Sequence, residues 1–509
     1  MPIINSIVSW LNIKRLHQID LFMKYPTDVQ RDSLLRLLDE ARDTEFGKKF
    51  GFSGIKSIPS FRDKVPVHTY DDLKPYIQSL MEGKENVLWP GEVKWFAKSS
   101  GTTSDKSKFI PVSMESMEDC HFRGGKDIIA LYTHNYPNNK ILKGKGLTLG
   151  GSHRISSYSN QSFYGDLSAI LIENLPFWAH FIRTPSQEVA LMDEWEEKLD
   201  MITKETIKDN VTNIAGIPSW NLVLIYHILK VTKKKHLLEI WPNLELFTHG
   251  GVSFTPYREQ FQKVIPSDSM NYMEVYNASE GFFALQNEPG KDDMLLMLDY
   301  GVYYEFIPMS ELHEENPKAL DIGEVETGVN YAMLITTNSG LWRYLIGDTV
   351  MFTSTYPHKI KISGRTKHFI NAFGEEIIID NAEQAVNIAC SKTQSLINDY
   401  TAAPIYMSDS SKGSHEWLIE FEKEPEDMEY FTKVLDNALC SINSDYEAKR
   451  YKSITLIMPT VHKLEKGTFI KWLGTKGKLG GQNKVPRLSN DRKIVDEILG
   501  REKEVDSRQ

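Results

Sequence analysis

Trp95-Phe96-Ala97-Lys98-Ser99-Ser100-Gly101-Thr102-Thr103-Ser104-Asp105-Lys106-Ser107-Lys108 is the stretch on which the fold turns. Its first three residues are apolar and read as a short strand, and Ser99 to Ser104 are all small. A loop of this kind at a strand end can wrap a phosphate. Hydroxyls and backbone N–H groups donate hydrogen bonds, glycine allows close approach, and lysine supplies charge. It is not a Walker loop, because the G-x4-G-K-[ST] spacing is absent. The same residues also suit a flexible polar surface loop, so the stretch by itself leaves both readings open.

Working outward, other strands end in small or polar loops. Leu147-Thr148-Leu149 runs into Gly150-Gly151, Leu244–Phe247 into His249-Gly250-Gly251, and Met273–Tyr276 into Asn277-Ala278-Ser279-Glu280-Gly281. Between them lie helical patterns. Val29, Leu34, Leu35, Leu37, Leu38 and Ala41 form an apolar stripe ending near Gly47, and Leu191, Trp195, Leu199 and Ile202 predict a helix over 188–208. Pro218 opens a further helix over Trp220–Val231. From Met294 to Lys361 the pattern is mainly β, with strands at Leu295–Leu298, Tyr303–Ile307, Tyr331–Thr336, Thr349–Phe352 and Ile360–Ile362. After Gly364-Arg365 it becomes a small α/β unit: helices near Asn381–Cys390 and Met428–Ile442, and strands at Trp417–Phe421 and Ile454–Met458. The fold class is therefore α/β. The expected division is a large mixed-sheet N-terminal domain over 1–364, a hinge and linker over 365–379, and a small mobile C-terminal domain over 380–509.

Bulk composition excludes several functions. A net charge of −10 argues against a nucleic-acid binder, whose affinity comes from clustered lysine and arginine. Cys120, Cys390 and Cys440 are far apart and form no CxxC pair, which speaks against a zinc ribbon or a disulfide framework. No apolar run reaches the roughly 20 residues that span a bilayer. Met1–Leu21 has no uninterrupted apolar core and reads as an amphipathic helix packed on the body, so the expected compartment is the cytoplasm.

Four further motifs carry chemistry, each with a plainer alternative. Glu280, at a strand's end, can hold Mg²⁺, which takes one or two carboxylates plus phosphate oxygens; it can equally belong to a helix N-cap with Ser279. Asp348, closing Leu341-Trp342-Arg343-Tyr344-Leu345-Ile346-Gly347-Asp348, can accept hydrogen bonds from ribose hydroxyls or simply mark a Gly-Asp hairpin turn. Gly364-Arg365-Thr366-Lys367-His368-Phe369 leads into Phe373-Gly374-Glu375-Glu376. Gly480-Gly481-Gln482-Asn483-Lys484-Val485-Pro486-Arg487 suits a mobile loop that delivers positive charge into a site, or an ordinary surface loop.

Taken in order, Ser-Ser-Gly-Thr-Thr…Lys, His-Gly-Gly, Tyr-x-x-Ser-Glu-Gly, Arg-Tyr-x-x-Gly-Asp, Gly-Arg and Gly-Gly-Gln-x-Lys-x-Pro-Arg resemble one family. It is the Gretchen Hagen auxin-responsive acyl-acid amido synthetases, a branch of the superfamily that contains luciferase and acyl-CoA ligases. The resemblance implies that Ser99, Ser100, Gly101, Thr102, Thr103 and Lys108 hold the phosphates of ATP. Gly250 and Gly251 with Tyr276 and Asn277 would hold adenine, next to Ser279. Glu280 would bind Mg²⁺, Asp348 the ribose, and Arg365 would lie near ribose and hinge. Lys484 would be the mobile lysine that reaches the carboxylate and α-phosphate. The implied reaction adenylates a carboxylic acid with release of pyrophosphate, then transfers the acyl group to an amino acid or other amine with release of AMP. Alternatives are an acyl-CoA ligase and a degenerate adenylate-binding protein. Asp105 stands where relatives often carry glycine, and Trp342 and Leu345 replace the usual tyrosine and basic residue around Arg343. For the acyl pocket, Arg123, Phe177, Phe181, Ser219 and Trp220 are the candidates, since an arginine among aromatics suits an amphipathic or aromatic acid. Oligomeric state is not legible.

Overall fold

The computed structural model describes residues 2–100, 107–149, 155–159, 161–192, 194–252, 254, 257–312, 314, 317–366, 369–408, 411–453, 455–476 and 485–501. Eleven strands form the main sheet, and it has two characters. One half is parallel: Asn271–Ala278, Leu246–His249, Val211–Gly216, Lys145–Thr148 and Arg183–Thr184 lie side by side in that order. As in a sheet covered on both faces, all four residues of Leu246–His249 are buried. The other half is an antiparallel meander of Gly281–Leu285, Met294–Leu296, His358–Arg365, Tyr344–Thr355, Asn330–Thr337 and Val302–Pro308.

Helix Pro26–Glu40 covers the meander. Proline begins it, where a missing N–H costs nothing, and Leu34, Leu37 and Leu38 turn inward. Its one buried amide, Gln30, donates to the carbonyls of Leu298 and Val302 and accepts from Tyr304 N–H, each at 2.8–2.9 Å. The helical stretch does not run on to Gly47. It stops at Glu40, and a separate helix, Glu45–Phe50, packs so close that a Cβ on Gly47 would collide with the Ala41 carbonyl. Likewise 188–208 is two helices, Gln187–Ala190 and Trp195–Thr206. The N-terminal helix Pro2–Lys24 buries Ile19 and Phe22, and Arg15 pairs with Asp127 and Asp299.

A second sheet of four strands includes Trp95–Ser100 paired with Ser107–Val112. The C-terminal part has its own three-stranded sheet of Leu396–Ile405, Ser414–Lys423 and Thr460–Leu464, packed against helices Ile379–Thr393 and Met428–Ile442. The strand expected at 454–458 is corrected to Thr460–Leu464. Of that apolar run Leu456 is buried, but Ile457 and Met458 face solvent, so it pairs only once, with Gly413. No helix among the described residues is long and apolar enough to cross a membrane.

Candidate active site

The ends of the parallel strands open into a cavity of about 1230 Å³. It meets the C-terminal ends of Lys145–Thr148, Val211–Gly216, Leu246–His249 and Asn271–Ala278. This is where open α/β sheets bind ligands, because loops leave the strands there in diverging directions. Across the sheet, from Asn271–Ala278 to Arg183–Thr184, the cavity runs along four strand spacings, about 19 Å.

At one end, three backbone devices bring distant residues together. Ser99 and Lys108 are directly opposite each other in an antiparallel hairpin, so both line the cavity although nine positions apart in sequence. The Lys108 ammonium lies 5.9 Å from the Tyr70 ring centre, and the Tyr70 hydroxyl accepts from Phe109 N–H at 2.9 Å. Ser279 and Glu280 form a two-residue turn between strands Asn271–Ala278 and Gly281–Leu285, with Ala278 paired to Gly281. The helix N-cap alternative is therefore set aside, and Glu280 stands at the tip of a hairpin. Asp348 is not in a turn either. It lies inside strand Tyr344–Thr355, at a bulge where Ile346, Gly347 and Asp348 face the single residue Met333 of the neighbouring strand. Gly347 has φ +95°, a conformation that glycine adopts without steric cost, and the bulge turns Asp348 towards the cavity. There Asp348 accepts a hydrogen bond from the Tyr276 hydroxyl at 2.6 Å. Gly250 packs so tightly on the adjacent strand that a Cβ would strike the Val275 carbonyl.

The electrostatics of this end are acidic. Glu280 is partly open to the cavity but deep in the molecule, and its carboxyl is pushed up to about 7. Burial is the main cause; Lys108 opposes it, while Asp348 and Glu376 add to it. Two histidines among the described residues border the cavity and neither is a cation at neutral pH: burial lowers His121 to about 4 and His249 to about 3. Among the described residues, Lys108 is the cation that acts on Glu280.

The other end is apolar, walled by Phe122, Ile128, Ile129, Leu167, Leu171 and Leu175. Arg183 borders it, and both of its terminal guanidinium nitrogens are buried without a hydrogen-bond partner among the described residues.

Of the residues predicted from sequence, Ser99, Lys108, Gly250, Gly251, Tyr276, Asn277, Ser279, Glu280, Asp348 and Trp220 all border this one cavity. Four acyl-pocket candidates are corrected. Arg123 bonds Asp119 and the Asp299 carbonyl instead. Phe177 and Phe181 meet edge to face at the surface, 78% and 67% exposed. Ser219 is fully buried in the first turn of helix Pro218–Thr232 and does not reach the cavity. Arg343 stays out as well, ion-paired with Glu305 and bonded to the Val65 carbonyl in the core. Gly101, Thr102, Thr103, Asp105 and Lys484 fall outside the described residues, as do the side chains of Ser100 and Arg365. The backbone of Arg365 pairs with Asp348.

Sequence reasoning missed the C-terminal contributors: Tyr406, Asp445, Lys449 and Asn490 also border the cavity. The segment just after Lys484 is stitched to the C-terminal sheet. Thr401 donates to the Pro486 carbonyl at 2.7 Å, and Ala402 pairs with Leu488.

Comparison with known proteins gives the class. Residues 15–270 match the GH3 family N-terminal domain, 295–365 its central domain and 380–493 its C-terminal domain; the chain belongs to the GH3 family. An indole-3-acetic acid-amido synthetase of Arabidopsis thaliana, GH3.3, is 23% identical over 94% of this chain and 91% of its own. A jasmonoyl–L-amino acid synthetase of Oryza sativa subsp. japonica, GH3.5, is 23% identical over 93% and 94%. The GH3.15 acyl acid amido synthetase solved in complex with 2,4-DB shares the fold, with TM-score 0.63, 17% identity and coverage of 97% and 96%. So does a 2-hydroxyisobutyryl-CoA ligase, at TM-score 0.57, 12% identity and coverage of 94% and 93%.

Proposed function

We propose that this protein is an ATP-dependent acyl-acid amido synthetase: carboxylate plus ATP gives acyl-AMP and pyrophosphate, and acyl-AMP plus an amino acid or other amine gives the amide and AMP. The observation that carries this reading is one cavity with Ser99, Lys108 and the carboxylates Glu280 and Asp348 at one end and an apolar lobe at the other. In the first step a carboxylate oxygen attacks the α-phosphorus and the bond to pyrophosphate breaks. Two anions must approach in a site already crowded by Glu280, Asp348 and Glu376. Lys108 offsets part of that charge from the body, and Lys484 would bring more from the C-terminal part. The cavity-bordering Ser99 and the residues of the loop that follows would hold the phosphates. Tyr276, Asn277, Gly250 and Gly251 would flank the adenine, and Asp348, held by the Tyr276 hydroxyl, would accept from the ribose. Arg365 would lie beside it.

Mg²⁺ fits this donor set. No group of three or more metal-ligating side chains occurs among the described residues. Glu280, a buried carboxylate held towards protonation with Asp348 and Glu376 nearby, suits an ion that takes one or two protein ligands plus phosphate oxygens. When bound, it would neutralise charge on the phosphates; Glu280 would hold it. In the second step the amine nitrogen attacks the acyl carbon, the bond to AMP breaks, and a proton leaves the nitrogen. The C-terminal part, from residue 380 onwards with a hinge over 365–379, would move between the two steps. The expected compartment is the cytoplasm.

The test is product identity. The enzyme is incubated with ATP, Mg²⁺, a panel of carboxylic acids, and either the amino acids or coenzyme A, and products are read by mass spectrometry. An amide with stoichiometric AMP is the expected result; a thioester with no amide would overturn it.

A further inference from the structure

Lys449 is 8% exposed, yet its ammonium has no ion-pair partner among the described residues. A lysine held against the wall of an open cavity with no counter-ion of its own is placed to receive an anion that arrives from outside. Its surroundings show where. The ammonium lies 5.3 Å from the Trp220 ring centre, and a Cβ added to Gly374 would stand 3.3 Å from its Cε and 3.7 Å from its Nζ. Gly374 has φ +87°, so a bare glycine both makes the turn and leaves room for the lysine stem. Trp220, Gly374 and Lys449 all border the cavity.

The helix that carries Lys449, Ser444–Arg450, is firmly held. Asn443 caps it by accepting from the N–H groups of Asp445 and Tyr446. Tyr446 and Arg450, one turn apart, both bond Asp436 behind it. That anchoring leaves Asp445 and Lys449, also one turn apart, on the cavity side. The Ser107 hydroxyl meets the Ser444 hydroxyl at 3.0 Å, which ties the helix to the phosphate-side hairpin. The cation among the charges that bear on Glu280 is Lys108. Lys449 stands instead against Trp220, so it and Lys108 are separate cationic positions on the cavity, one from the C-terminal part and one from the body.

We infer that Lys449 receives the α-carboxylate of the acceptor amino acid, with Trp220 shielding the pair from water. This rests on the amido synthetase reading. It fits the order of that reaction, because the acceptor enters only for the second step and its site is completed by the C-terminal part.

The test separates the half-reactions. Lys449→Met keeps the apolar stem and removes the charge, and Lys449→Arg restores a cation. ATP–pyrophosphate exchange without acceptor is expected to stay within about 2-fold of the unmodified enzyme in Lys449→Met, and this also shows that the variant folds. KM for the amino acid is expected to rise about 10-fold or more, the scale of one lost charge-assisted hydrogen bond. The unmodified enzyme is expected to prefer the amino acid over its carboxamide; Lys449→Met should lose that preference and Lys449→Arg should recover part of it. Loss of exchange in step with amide formation would assign Lys449 to adenylation and overturn the inference, as would equal use of the carboxamide by the unmodified enzyme. Absence of exchange in the unmodified enzyme with every acid would sink the underlying reading, and the inference with it.

Discussion

The two ends of the cavity are built differently. The charged end is made of strand ends, hairpins and a bulge: Ser99 opposite Lys108, Glu280 at a two-residue turn, and Asp348 pushed out beside Gly347. The apolar end is walled largely by side chains of the helices Arg123–Asn135 and Leu167–Glu173. The first end is fixed by backbone geometry, which constrains residue type; the second is fixed by packing, which many residues can satisfy. Hence the charged end should be intolerant of substitution and the apolar end adjustable.

The largest effect tests that intolerance. Lys484→Ala or Glu280→Gln is expected to lower adenylation, read as ATP–pyrophosphate exchange, by about 100-fold or more, as loss of one group stabilising transition-state charge does. An exchange rate within a few-fold would remove that residue from the reacting centre. Next, Asp348→Ala loses a charged acceptor and is expected to raise KM for ATP about 10-fold while leaving KM for the acid within 2-fold. Equal changes in both would mean that the two ends are not separate sites. At the apolar end, Leu171→Trp is expected to change which acids support exchange and to shift their KM by about 10-fold, with KM for ATP unmoved; filling a pocket penalises long acids first.

The smallest effect is thermal. Glu280 titrates near 7 in the folded protein against 4.5 as its ordinary value. Between those values the folded chain binds more protons than the unfolded one, so this group's contribution to stability falls as pH rises from about 4.5 to 7. Glu280→Gln has no proton to lose there. It is expected to melt about 1–2 °C above the unmodified, ligand-free protein at pH 8, with the gap closing near pH 4.5. A gap that widens on acidification would contradict the raised carboxyl.

How legible each end was follows from the same contrast. Gly250, Glu280 and Asp348 belong to short patterns of glycine and carboxylate after apolar runs, and such patterns are scarce in solvent-facing helices. Even so, the sequence suggested a turn at Gly347-Asp348, because a bulge inside a strand depends on register with Asn330–Thr337 and leaves no local signature. Phe177 and Phe181, candidates because aromatics with an arginine suit an aromatic acid, lie at the surface, since an aromatic side chain does not say which way it points. Leu167 and Leu171 look like any helix core. In Asn443-Ser444-Asp445-Tyr446-Glu447-Ala448-Lys449-Arg450, Asp445 and Lys449 are spaced like an ordinary surface ion pair. Only the fold shows that this helix meets the strand ends of the body.

The central claim is that one cavity joins a nucleotide to a carboxylate. It is tested most directly by ATP–pyrophosphate exchange over a panel of carboxylic acids, with and without Mg²⁺. The expected result is exchange that needs both an acid and Mg²⁺ and that disappears in Glu280→Gln. Binding of ATP with no exchange for any acid, or exchange unaffected by Glu280→Gln, would contradict it.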